Sequence, residues 1–345
     1  MNKTTLYLIS KLYHCLVLVR WFLYKSKLLT ARRFKTPIIS VGNISIGGSG
    51  KTPMVVYLSS ILTKTNIKHV IVSRGYKKKL RGTVVVQNYN TKLINDPCLA
   101  GDEPVLMSNK LDSIPIVADN NKTRAIDFVI KRFKPEVILL DDGFQSLYIK
   151  KNTDLVLIDS SVELKKYRLL PLGFLREQLQ SLKRADLVVF INKGLVNSMS
   201  KGAIIQILKK LNVQYLDVKF MPALYLYNYK NSKLEKHTKK IVGRSIAICG
   251  IGNPEPFLNL VQQYIPNDFD RLILRDHFNY FKNQKDIYNI IKSKKTINII
   301  TTYKDYVKLI QLPWIKSEKY NFYIIDISPQ TNQEKKLLEI ILRKG

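Results

Sequence analysis

Cysteine is scarce: three residues, Cys15, Cys98 and Cys249, lie far apart in a chain of 345. An odd, scattered set forms neither a disulfide framework nor a C-x-x-C metal site. Only four histidines accompany them, also dispersed, so a zinc centre has no ligand cluster to build on. A reducing, cytosolic compartment is the simplest reading. Acidic side chains are also few, 26 against 57 basic ones, for a net charge of +31. A surface so basic suits an anionic partner: nucleic acid, an acidic membrane or a phosphorylated substrate. The sequence lacks internal repeats, which sets aside solenoids. It also lacks an uncharged apolar run of membrane-spanning length.

The most apolar stretch is TLYLISKLYHCLVLVRWFLY, residues 5–24. Lys11, His14 and Arg20 interrupt it, and no small-residue cleavage site follows, so a secretory signal is not expected. At helical spacing Lys3, Ser10, Lys11, His14 and Lys25 gather on one side, and Leu8, Leu12, Val19 and Phe22 on the other. Residues 1–35 therefore read as an amphipathic helix with basic flanks, suited to an anionic membrane surface.

Beyond it, short β-rich runs alternate with helix-like segments. Strands are expected at 37–41, 69–72, 83–87, 136–140, 155–158 and 186–191, with helices at 52–63, 104–110 and 122–133. Alternation of this kind predicts a parallel sheet covered by helices, and near-continuous apolar strands fit burial on both faces. A polar, lysine-rich stretch around 197–240 marks a change of texture. After it come strands at 245–250, 268–274, 297–301 and 321–327, and helices at 254–264, 285–293 and 333–343. The expected fold is α/β: a P-loop NTPase-like domain over 36–215 and a smaller α/β domain over 216–345 closing over the active site.

The most specific element is a phosphate-binding loop. An apolar strand ending in Val41-Gly42-Asn43 leads into Ser45-Ile46-Gly47-Gly48-Ser49-Gly50-Lys51-Thr52, and Pro53 opens a helix-like run. The glycines let consecutive backbone N–H groups converge on phosphate oxygens at a helix N-terminus. Gly47, Gly48, Ser49, Gly50, Lys51 and Thr52 are the nucleotide-binding set, with Thr52 also reaching Mg²⁺. Ser45 stands where the general G-x-x-x-x-G-K-[ST] pattern has glycine. A second landmark is Val137-Ile138-Leu139-Leu140-Asp141-Asp142, an apolar strand ending in carboxylates, as a Walker B element requires for Mg²⁺. Other polar groups fall at predicted strand ends: Ser73-Arg74-Gly75-Tyr76, Gly101-Asp102-Glu103-Pro104, the 170–177 segment, Gly250-Ile251-Gly252-Asn253 and Asp276-His277-Phe278.

Three rival functions fit less well. A GTPase needs Asp at Leu195 after Asn192-Lys193, and Gly at Phe144. A partitioning-type ATPase needs Lys at Ile46. A nucleic-acid-binding protein needs basic residues interleaved with aromatics on one face, a pattern hinted at only in 225–240; no nucleic-acid partner is expected.

From about residue 36 to 310 the chain resembles the tetraacyldisaccharide 4′-kinase family, the lipid A 4′-kinases of Gram-negative bacteria. The resemblance rests on VGNISIGGSGKTP, SRGYK, GDEP, DDGFQ, LLPLGFLREQL, GIGNPEPF, DHFNY and TYKDYVK, in that order. The family also lacks the first Walker glycine, which accounts for Ser45. It implies transfer of the γ-phosphate of ATP, with Mg²⁺, to the 4′-hydroxyl of an acylated disaccharide-1-phosphate lipid. It also implies a monotopic enzyme at the cytoplasmic face of the inner membrane. By resemblance, Asp102 is the catalytic carboxylate and His277 its partner in accepting the hydroxyl proton. Lys51 holds phosphate, and Tyr76 and Arg74 lie near the reacting phosphate. Asp141, Asp142 and Glu177 stand on the metal side with Thr52. Asn43, Gln145 and Lys304 receive no firm role. The chain departs from the family pattern at Ser146, often His, at Thr302-Tyr303-Lys304-Asp305, usually T-E-K-D, and at Ile191-Asn192-Lys193-Gly194.

Overall fold

The computed structural model describes residues 2–192, 200–315 and 319–342. Helix α1 (Lys3–Lys25) comes first. The first half of the chain then contributes β1 (Ile38–Asn43), α2 (Lys51–Lys64), β2 (His69–Ser73), β3 (Val84–Gln87), α3 (Pro97–Ala100), α4 (Asp102–Lys110), β4 (Ile116–Ala118), α5 (Lys122–Phe133), β5 (Val137–Asp141), β6 (Thr153–Asp159), β7 (Leu187–Asn192) and α6 (Ser200–Lys210). A 15-residue strand, β8 (Gln214–Asn228), and the short β9 (Lys233–Lys236) follow. The second half adds β10 (Ser245–Cys249), α7 (Glu255–Tyr264), β11 (Asp270–Ile273), α8 (Gln284–Ser293), β12 (Asn298–Thr302), α9 (Tyr303–Leu309), β13 (Asn321–Gln330) and α10 (Glu334–Leu342).

All the strands belong to one mixed sheet, in the order β11, β10, β12, β13, β8, β7, β6, β1, β5, β2, β4, β3, with β9 paired to β8. The central strands β1, β2 and β5 are buried at every position. That burial explains their unbroken Val, Ile and Leu content, since helices cover both faces. On one face α2, α4 and α10 pack over Val41, Leu139 and Leu157; on the other, α5 packs over Ile38, Val70 and Leu140. Helix α5 follows from its sequence. Ala125, Ile126, Val129 and Phe133 recur at helical spacing, Asn121 caps it by accepting from the Arg124 N–H at 3.0 Å, and Lys134 ends it in the left-handed region at φ 47°.

Strand β8 fixes the relation of the two halves. Its first residues pair in parallel with β7, Leu187 opposite Gln214 through Asn192 opposite Lys219. Its later residues pair antiparallel with β13, Lys219 opposite Gln330 through Leu226 opposite Tyr323. Since β13, β12, β10 and β11 are mutually parallel, the second half runs against β8. The strand thus extends beyond the carboxyl edge of the first half, and the strands attached there point their own carboxyl ends back toward that edge. The two ligand-binding edges of the sheet face each other.

β8, the short β9 and the three-residue β4 are not among the expected strands. Lys219, Asp217 and Tyr225 make the β8 segment look polar. Its alternate residues Leu216, Val218 and Phe220 nonetheless point inward and are buried. Phe220 lies directly beneath the phosphate loop: a Cβ added to Gly50 would sit 2.5 Å from its ring. Replacing Phe220 with Ala should cost about 3–5 kcal/mol of stability. Urea unfolding should show this as a lower midpoint with an unchanged slope.

Candidate active site

The phosphate loop runs from the end of β1 to the start of α2. Gly50 is left-handed at φ 75° and has no room for a side chain over Phe220, so glycine is required there. Around Gly47 and Gly48, by contrast, an added Cβ would meet nothing within 4 Å. The loop backbone therefore borders open space, and the first turn of α2 carries no acidic residue to compete with an anion. Lys51 is held in position before any ligand arrives. Its ammonium donates to Asn43 Oδ1 at 3.3 Å and Ser49 Oγ at 3.4 Å, and lies 3.5 Å from Asp142 Oδ1. Asn43 thus gains a role: it steadies the lysine and closes the loop by donating to the Ser45 carbonyl at 2.8 Å.

The Walker B strand lies alongside, with Asp141 in register with Val41. Asp141 is buried; its Oδ2 accepts from Ser73 Oγ at 2.9 Å, while Oδ1 has no hydrogen-bond partner. Burial pushes its carboxyl up to about 7, with the charges of Glu103 and Asp142 adding to the effect. Asp142 differs. Burial alone would raise it too, but Lys51, Arg176 and Lys122 prevail and hold it at about 2. Adjacent carboxylates are thereby set to opposite tasks: one ionised and paired with cations, the other buried with an empty acceptor oxygen. That orphaned oxygen fits a cation. Among the described residues no cluster of three or more His, Cys, Asp or Glu could hold a metal. A single buried carboxylate oxygen suits Mg²⁺, a hard cation that needs only one or two protein carboxylates.

Glu177 stands farther back. Its Oε2 accepts from Arg184 at 2.7 Å and its Oε1 from Gln145 at 3.2 Å, and Gln145 in turn donates to the Asn43 carbonyl at 2.8 Å. In this arrangement Glu177 braces the strand that carries the loop. Arg176, the preceding residue, reaches Asp142 at 3.3 Å. Helix α1 joins the same network: Tyr13 donates to the Arg176 carbonyl at 2.8 Å and Arg20 to the Gln145 carbonyl at 2.9 Å.

Across the cleft, Asp102 opens α4 and His277 sits in the turn after β11. Gly101, at φ 98°, packs so closely on Gly75 that an added Cβ would lie 2.8 Å from the Gly75 Cα. This back-to-back contact ties the loop bearing Arg74 and Tyr76 to the start of α4. His277 Nδ1 lies 3.1 Å from Asp102 Oδ2, and the Tyr76 ring meets the imidazole edge-on at 4.9 Å. Burial would raise Asp102, but His277 and Lys308 outweigh it and hold the carboxyl below its ordinary value. Lys304 donates to Asp276 Oδ1 at 3.0 Å and stands 3.4 Å from His277 Nε2. A Cβ on Gly252 would lie 3.5 Å from the Gly47 Cα and 3.4 Å from Asp276 Oδ2, so the phosphate loop and the His277 turn flank the same glycine.

The structure therefore gathers Lys51, Asp141 and Asp142 on one side and Asp102, His277 and Tyr76 on the other. Thr52 begins α2 beside Lys51, and Arg74 is exposed at the rim. Lys193, Gly194 and Leu195, used in weighing a guanine-type motif, lie outside the described residues. Lys122 was not singled out from sequence. It is buried, donates to the Asp142 carbonyl and to Ser146 Oγ, and burial lowers its ammonium to about 8. The available signal was a lysine in the first turn of α5, where the helix dipole opposes a cation.

Asp141 yields a signed prediction. Its folded pKa lies above its unfolded value, so the folded state binds more protons between about pH 4 and 7 and stability falls with rising pH in that window. Asp141→Asn should therefore raise the melting temperature of the ligand-free protein at pH 8. It should also abolish the further rise that Mg²⁺ and ATP give the wild type. Scanning calorimetry with and without MgATP measures both effects.

The family model for tetraacyldisaccharide-1-P 4′-kinase matches residues 2–345. A tetraacyldisaccharide 4′-kinase of Halothermothrix orenii is 32% identical, the match covering 94% of this chain and 89% of that protein. One of Elusimicrobium minutum is 31% identical over 96% of this chain and 88% of its own. Among solved structures, the "apo" form LpxK from Aquifex aeolicus in complex with ATP superposes with a TM-score of 0.72 at 26% identity, covering 99% of each chain. The phosphate loop, the split pair of aspartates and the match along the whole chain agree: the chain belongs to the tetraacyldisaccharide-1-P 4′-kinase family.

Proposed function

We propose that this protein transfers the γ-phosphate of ATP to the 4′-hydroxyl of tetraacyldisaccharide 1-phosphate, at the cytoplasmic face of the inner membrane. The observation that carries this reading is the meeting of His277 and Asp102 at 3.1 Å, in a cleft whose other wall is the phosphate loop. Phosphoryl transfer asks a protein for alignment and charge neutralisation. Lys51 supplies a cation for the outer phosphates. The loop amides face the open space where a triphosphate would lie. Thr52 and Asp141 would hold Mg²⁺, which would offset the negative charge of the phosphates; Asp142 would stay paired with Lys51 and Arg176.

The acceptor is a sugar alcohol, a weak nucleophile. Asp102 and His277 receive its proton as the oxygen bonds to the γ-phosphorus and the bond from that phosphorus to the bridging oxygen breaks, releasing ADP. Tyr76 buttresses the imidazole, and Arg74 at the rim meets incoming phosphate charge.

Helix α1 fits the lipid acceptor. One face is tied down along about three turns: Ser10 to the Leu169 carbonyl at 3.3 Å, Tyr13 to Arg176, Arg20 to Gln145, and Trp21 under Lys183 at 4.4 Å. The other face leaves Leu8 62%, Leu12 63% and Phe22 59% exposed. By length and composition the helix could cross a bilayer, but its lateral bonds to the catalytic loops favour lying flat on the surface. Each exposed side chain gains about 1.5–3 kcal/mol on leaving water for lipid.

Purified protein should label a tetraacylated disaccharide 1-phosphate from radiolabelled ATP only when Mg²⁺ is present. Lys51→Ala, Asp102→Ala and His277→Ala should each lower kcat by roughly 100-fold or more. Full turnover by His277→Ala would remove it from the proton-accepting pair. In a separate assay, deletion of residues 1–25 should release the protein from anionic vesicles. Undiminished vesicle binding would reject α1 as the anchor.

A further inference from the structure

Behind the Asp102–His277 pair lies a cation that the reaction scheme does not use. Lys308, on α9, extends its side chain across to the first residue of α4. Its Nζ lies 3.3 Å from Asp102 Oδ2 and 3.5 Å from Asp305 Oδ1, and 5.1 Å from the centre of the Tyr280 ring. The side chain is only 10% exposed, and Asp305 is fully buried. Asp305 is fixed from two sides: its Oδ2 accepts from the Gly250 N–H at 2.9 Å and from Thr302 Oγ1 at 2.8 Å. The ammonium is therefore shared between a locked structural carboxylate and the carboxylate that contacts His277.

We propose that Lys308 is a positioning residue for phosphoryl transfer, whose ammonium, divided between Asp102 and Asp305, keeps the Asp102–His277 pair in its proton-accepting form. The proposal rests on the reading of that pair as the acceptor of the hydroxyl proton. The charge count gives the physical reason. With His277 neutral, Asp102, Asp305 and Lys308 sum to one negative charge. Without the lysine they would sum to two in a buried cluster, and a proton would be retained to offset it.

The remaining neighbours do not replace this cation. From the turn after β11, Asp276 and Tyr280 face the cluster, the tyrosine with its proton held by burial. From α9, Lys304 stands 3.4 Å from His277 Nε2, but Asp276 engages it at 3.0 Å and offsets its charge. Cys98 of α3, Cys249 of β10 and Glu103 beside Asp102 add no positive charge, and Tyr76 meets the imidazole with its ring.

The test is the pH profile of kcat/KM for lipid acceptor with saturating MgATP. Lys308→Met should move the acidic limb upward by about one pH unit, a loss of about tenfold on that limb which shrinks toward pH 9. Lys308→Arg should restore the wild-type limb. Asp305→Asn frees the ammonium for Asp102 alone and should move the limb the opposite way, to lower pH. Opposite displacements identify the charge as the cause, because damaged packing would lower the rate by one factor at every pH. A Lys308→Met profile parallel to wild type overturns the proposal. Should that variant not fold, Asp305→Asn decides: a downward shift supports the proposal, and no shift or an upward one overturns it. Asp102→Asn serves as the control. Full turnover in that variant would refute the pair itself, whereas an inactive Asp102→Asn beside an unshifted Lys308→Met would refute only the role of Lys308.

Discussion

A single strand governs where the chemistry can occur. β8 is long enough to pair with β7 along its first residues and with β13 along its later ones, and the two partners run in opposite directions. A parallel α/β sheet binds ligands only at its carboxyl edge. Two such edges would normally point the same way or lie far apart. Here the reversal across β8 turns them toward one another, so the loop after β2 and the start of α4 meet the turn after β11 although His277 is 175 residues from Asp102. Gly252 beside Gly47, and Lys308 beside Asp102, are consequences of the same geometry.

Within that cleft the electrostatics is arranged around charges that arrive with the substrates. Cations outnumber the carboxylates they could neutralise at the phosphate loop: Lys51, Lys122 and Arg176 all act on Asp142. Their surplus is a standing attraction for a polyanion. Asp141 carries the opposite imbalance, a buried carboxyl with one unsatisfied oxygen, whose charged form burial and the neighbouring Glu103 and Asp142 disfavour. A divalent cation and a triphosphate answer both imbalances together. On the proposed reading, ligand binding would relieve costs already present in the fold.

The sequence made the phosphate loop and Walker B strand legible because their chemistry fixes both residue type and spacing. Gly50 is the clearest instance: a left-handed turn over an aromatic ring admits nothing larger. The central strands were legible for a related reason, since burial on both faces leaves only apolar residues. β8 was obscured because one of its faces is wet, and Lys219 and Asp217 hide the alternation of Leu216, Val218 and Phe220. Lys122 and Lys308 were hidden differently. Among 57 basic residues a buried lysine looks like any surface one. Its partners, 20 and 206 positions away, emerge only once the sheet is assembled. Asp102 and His277 were found through resemblance to a family; spacing alone would not have joined them.

Helix α1 and the proposed catalytic residues are joined in one hydrogen-bonded network. Tyr13 and Arg20 bind the backbones of Arg176 and Gln145; Arg176 contacts Asp142, and Gln145 contacts the carbonyl of Asn43, whose side chain steadies Lys51. From α1 to Lys51 the path runs through these contacts. An enzyme whose acceptor never leaves the bilayer gains from this economy. On the proposed reading, fixing α1 on the membrane would also fix the height and tilt of the cleft, and a sugar hydroxyl presented at the headgroup level would meet Asp102 and His277 without a search over orientations. The geometry of attachment would then supply part of the orienting contribution that a soluble kinase must draw from binding its acceptor.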